Sequence, residues 1–175
     1  MNVRVHNKRN ENVNMCTFIK ETWTLGKMLF TSKPSDFDKL ELMPMKYFPF
    51  KGYKYLTWCG RCVYRENTSA AVITPVDENH ENIHLDQAKY YDSWTKFYLK
   101  YLWSWMRISP FFQKIGYYMN KFETEAYAKE EDLTYRMTRS RGAVEKFDQD
   151  EKRKIWKQCH KSPYIYKGYI RNKFK

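Results

Sequence analysis

Four histidines occur in the chain, and two of them stand in the run His80-Glu81-Asn82-Ile83-His84, an H-E-x-x-H motif. On a helix, positions i and i+4 lie one turn apart on one face, so both imidazoles can reach one metal ion. The glutamate, one position on, points about 100° round the axis. There it can hold a water against the metal and take its proton, the chemistry of a metal-assisted hydrolase. Two histidines need a third protein ligand. The longer H-E-x-x-H-x-x-G-x-x-H pattern is excluded, because Gln87 and Tyr90 occupy its glycine and last histidine positions. A carboxylate from a second helix is the other common solution, and Glu123 and Glu125 in KFETEAYAKEE are the candidates. Two apart, they cannot share a helix face, so one can point at the metal and the other away. Taken alone, the same stretch reads as a charged helix surface, and the H-E-x-x-H run as a solvated face.

The elements that must position these residues carry their own signals. Thr74-Pro75-Val76-Asp77 is a helix start, with a threonine cap, proline at the first helical position and an acid in the first turn. The helix it opens runs to about Asp92 and contains the histidine motif. A second helix follows Ser93 and ends near Ile108. Ser109-Pro110 repeats the cap-then-proline signal and opens a third, expected to run to about Arg139 with Gly116 as its weak point. Upstream, residues 22–30 form a short helix or strand, and residues 32–38 are turn-rich. Residues 47–55 interleave aromatics with Lys, Pro and Gly, and residues 56–64 read as strand. Two strands are expected here, joined near Gly52 or Gly60. One further helix is expected over residues 144–160.

Here a resemblance can be stated. The run MKYFPFKGYKYLTWCGRCVYR, then NHENIHLDQ, then KFETEAYAKEE resembles the small single-domain zincins of the minigluzincin type, themselves similar to the catalytic core of gluzincin metallopeptidases. It spans residues 45–133. It implies an α+β, zincin-like fold in which a small antiparallel sheet accompanies an active-site helix and a glutamate helix. It implies Zn2+ held by His80, His84 and Glu123, with Glu81 as general base. Glu123 is favoured over Glu125 because Phe122-Glu123 followed by Ala126 fits the family's F-E-x-x-A pattern. Larger relatives often place an aspartate after that alanine to orient a histidine ligand; Tyr127 stands there in this chain. The implied activity is hydrolysis of peptide bonds in a peptide or protein substrate, bound as an added strand along a sheet edge. Residues 56–64 are the candidate edge. Tyr127 and His160 are the candidate oxyanion donors.

Trp58-Cys59-Gly60-Arg61-Cys62 matches the W-C-G-x-C of thioredoxin-like oxidoreductases. That chemistry needs a helix directly after the first cysteine, whereas Val63-Tyr64-Arg65 continues a strand. Structural thiols are the preferred reading. A zinc site from Cys59, Cys62, Cys159 and His160 is disfavoured, since an adjacent Cys and His rarely chelate one tetrahedral ion.

The remaining signals are charge and aromatics. The 175 residues hold 32 Lys+Arg against 20 Asp+Glu, a net charge of +12. From Arg136 to Lys175 there are 13 basic and 4 acidic residues, a net of +9, which leaves +3 for residues 1–135. The chain is therefore divided into an N-terminal extension (1–44), a zincin-like domain (45–140) and a basic, aromatic-rich tail (141–175). Interleaved cations and aromatics in that tail suit a nucleic acid or an anionic membrane surface. They support a second reading, a non-enzymatic basic binding protein whose zinc is structural or absent. Trp94, Phe97, Tyr98, Tyr101, Leu102, Trp105 and Met106 form an apolar stripe, read as facing the core and alternatively as an interfacial membrane helix. No run is long and apolar enough to span a bilayer, and residues 1–14 lack the apolar region of a secretory signal. With four cysteines and no signal, a cytoplasmic location with reduced thiols is expected.

Overall fold

Capping side chains set the register of the helices that matter. In a computed structural model describing residues 14–49, 53–66, 73–109, 114–148, 152–159 and 162–174, the chain runs through helix α1 (Met15–Thr31), strands β1 (Glu41–Met45), β2 (Tyr55–Trp58) and β3 (Arg61–Arg65), and helices α2 (Pro75–Tyr91) and α3 (Trp94–Ile108). Helices α4 (Lys114–Tyr118), α5 (Lys121–Lys129), α6 (Tyr135–Thr138), α7 (Lys152–Gln158) and α8 (Pro163–Lys173) follow. The fold class is α+β. Thr74 and Asp77 form a reciprocal capping box at the start of α2, and Ser93 accepts from the Lys96 amide to start α3.

The sheet has the order β1-β3-β2 and is mixed. β2 pairs antiparallel with β3, with Leu56 opposite Val63, while β1 runs parallel to β3, with Met43 opposite Val63. The expectation of an antiparallel sheet is corrected by that parallel pair. The two strands expected here are joined at Gly60, one of the two places expected, so the segment 56–64 is a hairpin rather than one strand. Cys59 and Gly60 form its two-residue turn with φ of 45° and 81°, the left-handed pair that matches strand twist. A side chain at Gly60 would meet the Phe37 ring at 2.4 Å. Of that segment, β3 is the central strand and β2 lies at the edge.

Helix α1 lies on the sheet. Trp58 Nε1 donates to the Leu25 carbonyl at 2.8 Å, and Glu21 accepts from the Lys46 and Tyr47 amides. Leu25, Met45, Tyr47, Phe48 and Val63 form the core between them. A larger core joins the hairpin turn to α2, α3 and α5 through Leu85, Trp94, Phe97 and Phe122. β1 falls across the boundary drawn at residue 44, and α1 is joined to the sheet by these contacts.

The single helix expected after Ser109 is broken among the described residues into α4, α5 and α6. Asn120 caps α5 by accepting from the Phe122 amide, and its amide group donates to the Tyr101 carbonyl of α3 at 3.2 Å. At the other end, Asn79 of α2 donates to the carbonyls of Lys129, Glu130 and Asp132, taking the acceptors a continuing helix would use. The helix expected over residues 144–160 is likewise two pieces, a 3₁₀ turn (Ala143–Phe147) and α7. The aromatic stripe of α3 is split as well. Trp94 and Phe97 are buried, but Leu102 and Met106 are exposed, together with Leu99 and Trp103. No helix of the described residues is long and apolar enough to cross a membrane.

Among the described residues beyond 140, the 3₁₀ turn and α8 pack on the glutamate helix. Trp156, Cys159, Tyr166 and Ile170 are buried with Ile108, Met119 and Tyr127 in a separate core. Trp156 and Tyr166, two of the aromatics interleaved with cations in that tail, are committed to that core, whereas Tyr164 is exposed.

Candidate metal centre

The centre is built where α2 meets α5. Asn79, near the start of α2, binds the end of α5, while Gln87, two turns later, donates to the Phe122 carbonyl at its start. The two helices therefore run antiparallel. That places Glu123, in the first turn of α5, opposite the face of α2 that carries His80 and His84.

Glu123 Oε2 lies 3.5 Å from His80 Nε2, and Glu123 Oε1 lies 3.4 Å from His84 Nε2. One ligand atom from each of the three residues lies within 4.8 Å of the others. All three side chains are buried, with residue exposures of 7%, 5% and 3% for His80, His84 and Glu123. These residues are thus neither a solvated helix face nor a charged surface.

The ring nitrogens facing away from the centre are both engaged. His80 Nδ1 lies 2.7 Å from Glu130 Oε2, and His84 Nδ1 lies 2.8 Å from Gln87 Oε1. Gln87 Nε2 faces two groups that can only accept, the Phe122 carbonyl and the Glu125 carboxylate. The Gln87 oxygen must therefore receive a proton from His84 Nδ1. With Nδ1 donating in both rings, each neutral imidazole presents an Nε2 lone pair to the centre, the tautomer a metal ligand requires. Tyr101 OH donates to Glu123 Oε1 at 2.7 Å and holds that carboxylate in place.

Glu123 Oε2 is a buried atom with no hydrogen-bond partner. A buried carboxylate oxygen left unpaired is costly, and a cation between it and the two Nε2 atoms removes that cost. Two imidazole nitrogens and one carboxylate oxygen also leave a fourth tetrahedral position for water or substrate. The residues fit a metal ion. Electrostatics agree. Burial opposes charge on His80, but the Glu123 and Glu130 carboxylates beside it outweigh this and push its pKa up to about 10. Burial likewise opposes charge on Glu123, yet the adjacent His84 and His80 hold it well below the usual carboxylate range. The pocket thus stabilises a cation beside a carboxylate.

Glu81 is not among the ligands. It projects into a cleft and accepts a hydrogen bond from Thr57 of the edge strand β2. Two of the cavities that adjoin it also reach the centre. One, of about 610 Å³, is walled by Leu25, Trp58, Phe97, Tyr98 and Tyr101 and reaches His84 and Glu123. The other, of about 560 Å³, reaches His80 and is walled by Asp77, Tyr127, Glu130 and Lys167. Glu81, Tyr53, Tyr55, Trp105 and Tyr117 line both, so they are two halves of one cleft divided at Glu81.

The other candidates separate cleanly. Glu125 does not face the centre. It is fully buried and gripped by Arg139 through Nε at 2.6 Å and Nη2 at 3.1 Å, with Tyr135 OH at 2.9 Å. Its place is behind Gln87, as the anchor of the group that orients His84. Tyr127 packs its ring 4.6 Å from that of His80, with its hydroxyl 3.3 Å from that of Tyr117. His160 lies outside the described residues. Cys59 sits in the hairpin turn and Cys62 in β3, both buried, and burial pushes the Cys59 thiol up to about 12 and the Cys62 thiol higher still. Neither is a reactive thiolate, and no helix follows Cys59. Cys159 belongs to a different core from Cys59 and Cys62.

Several functional contacts have no counterpart in the motif reading. Glu130 binds the outward ring nitrogen of His80. It stands seven residues beyond Glu123, two turns along, and that spacing was its available signal. Arg171 of α8 in turn holds Glu130 Oε1 and reaches Glu131 at 2.8 Å. Gln87 is likewise one turn from His84. Tyr101, Thr57 and Tyr117 come from other elements, and no spacing announces them. Comparison with protein-family profiles, with curated proteins and with solved structures finds no match to this chain.

Proposed function

We propose that this chain is a zinc-dependent metallopeptidase. The observation that carries the reading is the convergence of His80, His84 and the unpaired Glu123 oxygen at the floor of a cleft into which Glu81 projects. The nitrogen and oxygen donors of that set favour zinc over magnesium or calcium, which take oxygen ligands. Zinc held there supplies Lewis-acid polarisation of a carbonyl and lowers the pKa of water toward about 7.

The chain's own residues do the rest. Tyr101 and Glu130 keep Glu123 and His80 in ligating orientation, and Gln87 does the same for His84. Glu81 accepts the proton of the attacking water and later delivers it to the leaving amine. Thr57 orients the Glu81 carboxylate from β2. That same strand is the sheet edge facing the cleft, along which an extended peptide can add. Tyr117 and Tyr127 carry the hydroxyls available to a developing oxyanion. Burial keeps both protonated, with pKa values well above the usual tyrosine value, so they act as donors.

The experiment is chelation and rescue. Protein stripped with a strong chelator is expected to lose cleavage of an unstructured protein substrate by at least about a hundredfold. One equivalent of zinc is expected to restore it and magnesium is not. Cleavage that survives complete metal removal would contradict the proposal.

A further inference from the structure

The two halves of the cleft differ in chemistry. The half beside His84 is walled by aromatic and aliphatic side chains, whereas the half beside His80 holds two lysines, Lys54 and Lys167 of α8. Lys54 is paired with Asp77, which leaves Lys167. Building on the peptidase reading, we infer that the His80 half is a carboxylate subsite with Lys167 as its receptor. The cleft then takes peptides carrying a bulky apolar side chain on one side of Glu81 and an anionic carboxylate on the other.

Each charged neighbour of Lys167 in this half already has a partner. Lys54 and Asp77 pair at 2.7 Å. Glu130 is shared between His80 and Arg171. Glu81 accepts from Thr57. Among the described residues Lys167 is left in no salt bridge. Its ammonium rests on the Tyr127 ring, 3.5 Å from the centroid, and 5.9 Å from that of Tyr118. The stacked ring fixes where the charge stands without neutralising it.

Burial lowers the Lys167 pKa, and the nearby Glu130 only partly opposes this. A half-buried ammonium in that state gains most from an anion brought to it. A lysine, with its compact charge and three donors, suits a carboxylate arriving from several directions. The same side chain sits on the tail helix that holds Glu130 through Arg171, so the basic tail supplies both the support of a metal ligand and the specificity of the cleft.

Two sources can provide the carboxylate: a free C-terminus or an acidic side chain. The test is calorimetric binding of short peptides to the full chain in its Glu81→Gln form, which leaves the peptide intact. One blocked tetrapeptide with a single phenylalanine is compared as its free acid and as its C-terminal amide. A second pair carries glutamate or glutamine beside an amidated C-terminus. In at least one pair the anionic member is expected to bind about tenfold tighter or better. Which pair responds identifies the source. That ratio is expected to fall within about twofold of unity in Lys167→Met and to survive in Lys167→Arg. Equal affinities within both pairs, a preference that persists in Lys167→Met, or failure of all four peptides to bind would overturn the inference. Failure of the Glu81-intact protein to cleave peptides it binds with the expected preference would sink only the peptidase reading.

Discussion

Glu81→Gln is expected to leave the metal content unchanged and to lower kcat for peptide cleavage by about 10³-fold or more. The two effects separate because Glu81 lies outside the ligand set, on the cleft side of α2. The substitution keeps size and hydrogen bonding, so Thr57 retains a partner across from β2. What is lost is the carboxylate proposed to accept a proton from water and hand it on. Zinc analysis and turnover measured on the same preparation test both halves. Loss of zinc in the variant would place Glu81 among the ligands, and near-normal turnover would remove it from the mechanism.

The second large effect is on stability. Glu125→Ala is expected to destabilise the fold by about 3–5 kcal/mol, because it leaves the Arg139 guanidinium buried without its partner. Arg139 and Glu125 are joined by two hydrogen bonds, and their side chains are 5% and 0% exposed. The same substitution frees Tyr135 OH and one of the two acceptors of Gln87. Denaturant unfolding read by tryptophan fluorescence measures the change. For a domain of this size the loss corresponds to a melting point lower by on the order of 10 °C. A change under about 1 kcal/mol would show that the pair contributes little beyond a hydrophobic substitute of similar volume.

Glu125 also illustrates what the chain discloses and what it withholds. The helix α2 and its ends are legible from Thr74-Pro75 and Asp77, since capping is decided by neighbours in sequence. The start of α3 at Ser93 is legible for the same reason. The spacing of His80 and His84 is legible because one helix face is a local property. That Glu123 and Glu125 must face opposite ways is legible too, but which of them meets the histidines depends on how α5 docks on α2. Asn79 and Gln87 decide that docking by reaching across some fifty and thirty-five residues of chain.

The breaks at Asn120 and after Lys129 are of the same kind. The helical pattern continues through both, and tertiary hydrogen bonds donated by Asn120 to the Tyr101 carbonyl and by Asn79 to the end of α5 override it. The parallel pairing of β1 with β3 is invisible locally, because strand partners are chosen by the fold rather than by composition. The basic tail is the largest difference. Its charge reads as an appended surface, yet Trp156 and Tyr166 are buried, Arg171 holds Glu130 behind His80, and Lys167 lines the cleft. Composition reports how much charge a segment has, and the packing of α8 on α5 determines where two of those charges end.

The proposed zinc centre stands or falls most directly on metal content. Full-length protein purified without added chelator and analysed by inductively coupled plasma mass spectrometry is expected to carry close to one zinc per chain. Glu123→Ala, which removes the oxygen that has no other partner, is expected to carry close to none under the same conditions. Wild-type protein that is folded, metal-free and unable to take up zinc on reloading would contradict the assignment.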